Sequence, residues 1–412
     1  MPAIRAPMVS PTGSIFRDIA AWIRERRGWP REISDWWTFA RCPLDRTAGW
    51  EIGYMNFGRL ATSAALLLAS CSPSERPLPY EAAPPFPWSV YQQLWLQDLP
   101  AASPTEATLS SHDGALATKF LNTAAVKWAE KNKCATCHTI ASYLMVEPSL
   151  APDVDKEKTK YIRAQIISYF NENKHLPQNG FQFGAAASAF AVNDALTGAV
   201  MTNDTRDLFE FVWKTQNEDG SLPYSTHNLL PFPGRDRRYV EILLALGAGF
   251  LPKEYTSSPV PAAGISRLQH YIRQNFPEKL HDQALLLWAS ARTSGLLTRA
   301  EADRIRSALV RRQNADGGWT LPALGRWPRL DGPPNDPRGP SDGYATGLVT
   351  LALCESGHRT SRPVTRALAW LDHNQRVSGR WYTRSLYSDR FKGYLSTMAT
   401  SYAMMALKRC TS

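Results

Sequence analysis

The stretch Gln313-Asn-Ala-Asp-Gly-Gly-Trp319 closes one helical pattern and introduces another. Before it, residues 299–313 carry charges on one face and apolar residues on the other, the period of a half-buried helix. After it, beyond a proline-rich loop, residues 342–357 are poor in charge and rich in Ala, Gly, Leu and Thr, the signature of a helix buried on most sides. The Asp-Gly step supplies the turn residues that accept positive φ. The Gln amide can bond helix-end backbone groups, and the aromatic folds back as a cap on the hairpin. The same order recurs in Gln375-Arg-Val-Ser-Gly-Arg-Trp381 and in Gln216-Asn-Glu-Asp-Gly220, where Tyr224 is taken as the aromatic.

Outward from these turns, two kinds of helix alternate. Amphipathic segments are expected at 116–131, 156–173, 204–216, 264–276, 299–313 and 363–376. Charge-poor segments are expected at 139–150, 184–201, 237–251, 281–297, 342–357 and 394–409. Alternation of half-buried and buried helices implies two concentric layers. Six pairs fit a closed ring of α-hairpins better than an open solenoid. The expected fold is therefore all-α, an (α/α)6 toroid of six helical hairpins.

The composition agrees with a folded chain. Of 412 residues, 43% are hydrophobic and 20% charged, which excludes wholesale disorder. Lys and Arg exceed Asp and Glu by a net +10, but they are scattered, and no run resembles a nucleic-acid patch. No nucleic-acid partner is expected.

The Gln-x₃₋₅-Gly-x-Trp turns after helices resemble the QW repeat of squalene–hopene cyclases and protein prenyltransferases. Gln313 to Trp319 and Gln375 to Trp381 carry the likeness best. Ser341-Asp-Gly-Tyr-Ala-Thr-Gly-Leu-Val-Thr-Leu-Ala-Leu353 is similar to an inner helix of that superfamily, and 378–385 with 402–407 to the last repeat of uncharacterised bacterial lipoprotein members. The resemblance covers about 115–410 and implies a terpene-cyclase/prenyltransferase-like toroid with a central cavity, without implying an activity. The cyclases' Asp-x-Asp-Asp acid is missing; Asp153-Val-Asp155-Lys156 lacks the third acid and lies in a polar connection. Asp342-Gly343-Tyr344 stands where prenyltransferases hold zinc, but Tyr replaces the thiolate and no matching His lies in 394–409, so no zinc is expected.

The N-terminal portion has its own organisation. Arg59, the apolar run Leu60 to Leu68 and the ending Leu68-Ala-Ser-Cys71 resemble a bacterial lipoprotein signal, with Cys71 as the acylated residue. Met55 then becomes the start, and 1–54 a non-mature extension. The alternative is a buried apolar helix at 58–70. Residues 72–114 have the Pro/Ser-rich composition of a tether, leaving 115–412 as the toroid. The expectation is an exported lipoprotein on the periplasmic face, held to the membrane by its lipid alone.

Cys134-Ala-Thr-Cys137-His138 is a C-x-x-C-H sequence, the attachment pattern for haem c. Two thiols add to the vinyl groups of one porphyrin, and the adjacent His138 reaches the iron. Export, where bacterial haem attachment takes place, agrees with the lipoprotein signal. A disulfide, a half zinc site or a thioredoxin-type pair are the competing readings, although no second Cys-x-x-Cys completes a zinc site and no βαβ pattern surrounds the pair. The far iron ligand is open among Met145, His175, Met201 and His227, and five-coordinate iron is a further alternative.

Polar residues expected at the starts of charge-poor helices should gather at one mouth: Asn193 and Asp194, Asp236 and Arg237, His281 and Asp282, Asp342 and Tyr344. Of these, His281, Asp282, Asp342 and Tyr344 are the catalytic candidates, with an N-cap or first-turn role the plainer reading of each acid. Cys354 and Cys410 read as small core residues. The stretch Arg326 to Pro340, with five prolines, is a long loop, a lid or a rigid excursion. Three functions stay open: an exported haem c toroid transferring electrons or binding a small apolar ligand; an enzyme acting on an isoprenoid or lipid-like substrate, with Cys134 and Cys137 structural; and a non-catalytic peptide- or protein-binding module.

Overall fold

A computed structural model of the chain describes residues 102–132, 139–150, 156–223, 238–329, 332–386, 388–389 and 394–411. All belong to the second of two units, Ala83–Ser412. The signal sequence with Cys71, the motif Cys134 to His138, and Asp153, Asp155, Tyr224, His227, Asp236 and Arg237 lie outside the described residues.

The described residues hold thirteen α-helices and no strand. In chain order they are α1 (Gly114–Asn132), α2 (Ile140–Val146), α3 (Lys156–Asn173), α4 (Gly180–Leu196), α5 (Asn203–Thr215), α6 (Arg238–Ala248), α7 (Lys253–Thr256), α8 (Pro259–Gln274), α9 (Leu280–Ser290), α10 (Arg299–Val310), α11 (Gly343–Leu353), α12 (Arg362–His373) and α13 (Tyr394–Thr411). Apart from the single turn α7, these are the twelve expected segments. The differences are at the ends. Prolines in the first turn start α8 earlier than the periodicity suggests. Gly198 and Gly357, at φ 74° and 90°, lie in the turns that stop α4 and α11 before the expected boundaries, and α9 ends at Ser290, five residues before the positive-φ Gly295.

The alternation in burial follows the alternation in composition. Every residue of α11 is buried. Its neighbour α12 buries only Val364, Ala367 and Leu371, at the i, i+3, i+7 spacing of one stripe. Packing has a regular order. Helix α2 packs on α4, α4 on α6, α6 on α9, α9 on α11, α11 on α13, and α13 on α2. The charge-bearing helices lie against these: α5 on α4, α8 on α6, α10 on α9, α12 on α11 and α13, and α1 on α2 and α13.

The Gln turns join one pair to the next. Gln313 Nε2 donates to Gly317 O at 2.7 Å and to Pro363 O, in the first turn of α12, at 2.8 Å. Gln375 Nε2 repeats this with Gly379 O and Asp113 O, both at 2.9 Å. Gln216 Nε2 does so with Gly220 O at 2.9 Å and Gly264 O at 3.2 Å. The last turn thus binds the entry to the first helix as an earlier turn binds the helix that follows it. Trp319 Nε1 caps Leu309 O at 2.8 Å, and Trp381 Nε1 caps Leu371 O at 2.9 Å. In the Gln216 copy the residue at the tryptophan register is Leu222, which is buried, so Tyr224 is not the register equivalent.

Two expectations need correction. The segment read as the end of a tether pairs with the last turn: Leu109 N donates to Gln375 O at 2.8 Å and Val377 N to Ala107 O at 3.0 Å. Folded structure therefore begins before residue 114. Cys354 and Cys410 are buried, as core residues should be, but they are bonded to each other. They follow α11 and end α13, adjacent helices whose C-terminal ends bring their Cα atoms to 5.9 Å, within disulfide reach.

Candidate functional site

Helices α6, α9, α11 and α13 direct a set of aromatic and polar side chains to one buried place. His281, in the first turn of α9, directs Nδ1 to Asp282 Oδ1 at 2.7 Å and Nε2 to Tyr344 OH at 2.9 Å. The Tyr344 ring stacks on the imidazole at 5.6 Å, and Tyr239 from α6 stacks at 6.0 Å. Trp327 meets the imidazole edge-on at 5.8 Å. Tyr402 from α13 meets the Tyr344 ring edge-on at 5.2 Å. His281 is 1% exposed, Asp282 4% and Tyr344 0%. With an ionised Asp282 beside it, the imidazole would donate from Nδ1 and leave Nε2 to accept from the phenol.

Asp342 is the N-cap of α11, its carboxylate accepting from Ala345 N at 2.9 Å. It also accepts from Leu321 N at 2.5 Å and from Thr383 Oγ1 at 3.0 Å, and Thr383 Oγ1 in turn accepts from Tyr344 N at 2.9 Å. The capping role is thus real, but the carboxyl has a second property. Burial pushes its pKa up to about 6, against the lowering pull of its hydrogen bonds to Ala345, Leu321, Thr383 and Tyr344. Asp342 lines a cavity of about 570 Å³ together with Arg376, Tyr382, Thr383, Arg384 and Asp389.

The shift makes a prediction about stability. An acid whose pKa is higher in the folded state gives up its proton first when unfolded. Between pH 4 and 6 the unfolded chain then binds fewer protons, and stability falls as pH rises. Relative to Asp342→Asn, the native protein is expected to lose about 2 kcal/mol between pH 4 and pH 7. Urea unfolding of both proteins at the two pH values checks this, and a difference independent of pH is the contrary result.

The proline-rich loop divides two openings. Across it from the Asp342 cavity lies a groove of about 990 Å³ lined by Lys279, Arg312, Arg326, Trp327 and Arg329. Asn335 Nδ2 donates to Trp327 O at 3.0 Å and Leu386 O at 3.1 Å, and Arg329 pairs with Asp389 at 3.0 Å. These ties make the described part of the loop a pinned excursion rather than a free lid.

Of the four catalytic candidates, His281, Asp282 and Tyr344 form one hydrogen-bonded chain, and Asp342 joins it through Thr383. Asn193 and Asp194 do not join. They lie in the last turn of α4 rather than at its start, because that helix runs from Gly180 only to Leu196. There Asp194 pairs with Arg163 at 3.0 Å and accepts from Thr202 and Thr205, while Asn193 bonds Leu144 O and Glu147. Among the distal-ligand candidates Met145 is buried, Met201 half-buried and His175 exposed. The cluster also contains Tyr239, Trp327, Thr383 and Tyr402, which the sequence reading did not single out. Tyr402 falls on the buried face of a charge-poor helix and could have been found from its phase; Trp327 and Thr383 sit in irregular segments with no periodic signal.

No group of three or more His, Cys, Asp or Glu side chains suited to a metal occurs among the described residues, and no described helix is long and apolar enough to cross a membrane. Comparison with protein-family models and with curated proteins finds no match to the chain.

Proposed function

We propose that this chain is an exported, lipid-anchored protein, attached to the membrane through Cys71, whose six helical hairpins close into an (α/α)6 toroid and whose Cys134, Cys137 and His138 hold haem c. The toroid reading is supported by the packing order that returns from α13 to α2, and by Gln375, which treats Asp113 as Gln313 treats Pro363. The observation that carries the functional reading is the C-x-x-C-H spacing in a chain that also contains a cystine, Cys354–Cys410. Disulfides persist in oxidising compartments, and haem attachment in bacteria belongs to the same side of the membrane.

The margins of the motif are compatible with a bound group. Thr139, immediately after His138, is buried, and α2 begins at the next residue. Helix α13 packs on α2, and its Thr397 Oγ1 and Ser401 Oγ are buried without a hydrogen-bond partner among the described residues. Buried hydroxyls of this kind call for a polar group or a water. Bound haem would supply one-electron redox chemistry; the chain would supply two thioether anchors and an imidazole ligand.

A second reading, an enzyme acting on a small isoprenoid-like or lipid-like ligand, is favoured by one observation. Burial raises the Asp342 pKa to about 6, and the residue borders a cavity that also presents Tyr382, Asp389 and two arginines. One experiment separates the two. Protein made from Met55 in a host with haem-attachment machinery should give a pyridine haemochrome spectrum of the thioether type, which persists after acid–acetone extraction and changes in Cys137→Ala. Colourless protein from such a host overturns the haem reading and leaves the enzyme reading standing.

A further inference from the structure

We propose that Tyr344 is a redox-active tyrosine, whose oxidation is coupled to proton transfer onto His281. The proposal rests on described residues alone and needs no haem.

A phenol is hard to oxidise while it keeps its proton, because the cation radical is strongly acidic. It becomes oxidisable when a base waits in hydrogen-bond contact and takes the proton as the electron leaves. Tyr344 has such a base: His281 Nε2 lies 2.9 Å from its hydroxyl. The resulting imidazolium would be costly in a site this buried unless a counter-charge were fixed beside it. Asp282 Oδ1, 2.7 Å from Nδ1, is that counter-charge. A tyrosine held only for packing needs one acceptor and no carboxylate behind it. The phenol, imidazole and carboxylate in line are the arrangement that moves a proton one step and stabilises the charge it leaves.

The surroundings also give the electron a route. Trp327 lines the 990 Å³ groove and touches the imidazole edge-on, with ring centroids 5.8 Å apart. The imidazole stacks on Tyr344 at 5.6 Å. Beyond Tyr344 the rings continue through Tyr402 at 5.2 Å to Trp288, 6.4 Å further. Lys279, Arg312 and Arg326 outnumber Glu278 among the charged side chains of the groove, a balance that suits an oxidant of negative charge.

The step balances as follows. One electron leaves Tyr344 for a metal-centred one-electron oxidant seated in the groove, which is reduced by one unit. The phenolic O–H bond breaks, and an N–H bond forms at His281 Nε2. The products are a neutral tyrosyl radical and an imidazolium paired with the Asp282 carboxylate. One-electron reduction returns the proton to the phenol.

The test is flash photo-oxidation of the full chain by a ruthenium polypyridyl complex made anionic with sulfonated ligands, with an anionic cobalt(III) acceptor, read by EPR on protein carrying ring-deuterated tyrosine. A tyrosyl signal is expected in the native protein and its loss in Tyr344→Phe. His281→Phe should slow radical formation about a hundredfold and abolish its solvent isotope effect. Asp282→Asn, which keeps the side-chain shape, should slow it too. A measurement on the native protein needs no variant: proton ENDOR should find an exchangeable hydrogen on the line from the phenoxyl oxygen. A native-level tyrosyl signal in folded Tyr344→Phe, a tryptophanyl signal alone, or no exchangeable proton at the radical overturns the proposal. The haemochrome spectrum is a separate readout, so failure of one reading is distinguishable from failure of the other.

Discussion

Gly379→Ala is expected to destabilise the protein by about 4 kcal/mol, and Gly357→Ala by about 1 kcal/mol. Both glycines have φ 90°, so an added methyl group meets the same backbone penalty at each. They differ in what surrounds it. At Gly357 nothing lies within 4 Å of a Cβ, whereas at Gly379 a Cβ would stand 2.3 Å from Leu116 O and 2.6 Å from Leu116 C. Backbone in a helix cannot step aside as a side-chain tip can. Relief therefore requires separating the last turn from α1, which would also stretch the Gln375 bonds to Asp113 and the pairing of Leu109 and Val377. Equilibrium urea unfolding of both variants measures the difference. Equal losses would mean that the last turn does not seat on the first helix.

Reduction of the Cys354–Cys410 bond is expected to have an effect of similar size. The two cysteines are 56 residues apart in sequence, and releasing a closed loop of that length restores about 4 kcal/mol of chain entropy to the unfolded state. Some order at that end survives reduction, since Glu355 bridges Arg292 and Arg409, each at 2.6 Å. The measurement is urea unfolding of the native protein and of a Cys354→Ser, Cys410→Ser double variant, with and without dithiothreitol. The reductant should destabilise the native protein and leave the variant unchanged. Insensitivity of the native protein would contradict the bond.

Much of the helical architecture was readable in advance. Residues 343–353 have no charged side chain and 362–373 have an apolar stripe, so one must be surrounded and the other must lie half in water. The Gln313 and Gln375 turns were legible because a positive-φ glycine and a tryptophan cap are local requirements. The Gln216 copy was misassigned at its aromatic because a leucine fills the same register. Helix ends were less legible, since a positive-φ glycine such as Gly198 or Gly357 stops a helix that the apolar pattern alone would extend.

For the site, the sequence nominated His281, Asp282, Asp342 and Tyr344, because polar residues in an apolar helix need a reason. It could not pair them. His281 and Tyr344 are 63 positions apart, and their contact depends on the phase and height of two neighbouring helices. It also erred on Asn193 and Asp194: the expected span 184–201 holds them at its middle, whereas the helix stops at Leu196 and leaves them in its last turn.

Residue order alone determined that this chain is a succession of alternating half-buried and buried helices with turns of one design, because hydrophobic period, turn chemistry and capping act over a few residues. Tertiary structure decided which cysteines bond, that burial raises the Asp342 pKa to about 6, and that a histidine stands between a carboxylate and a phenol. Those properties depend on burial and on distances between helices far apart in the chain, which no local pattern encodes.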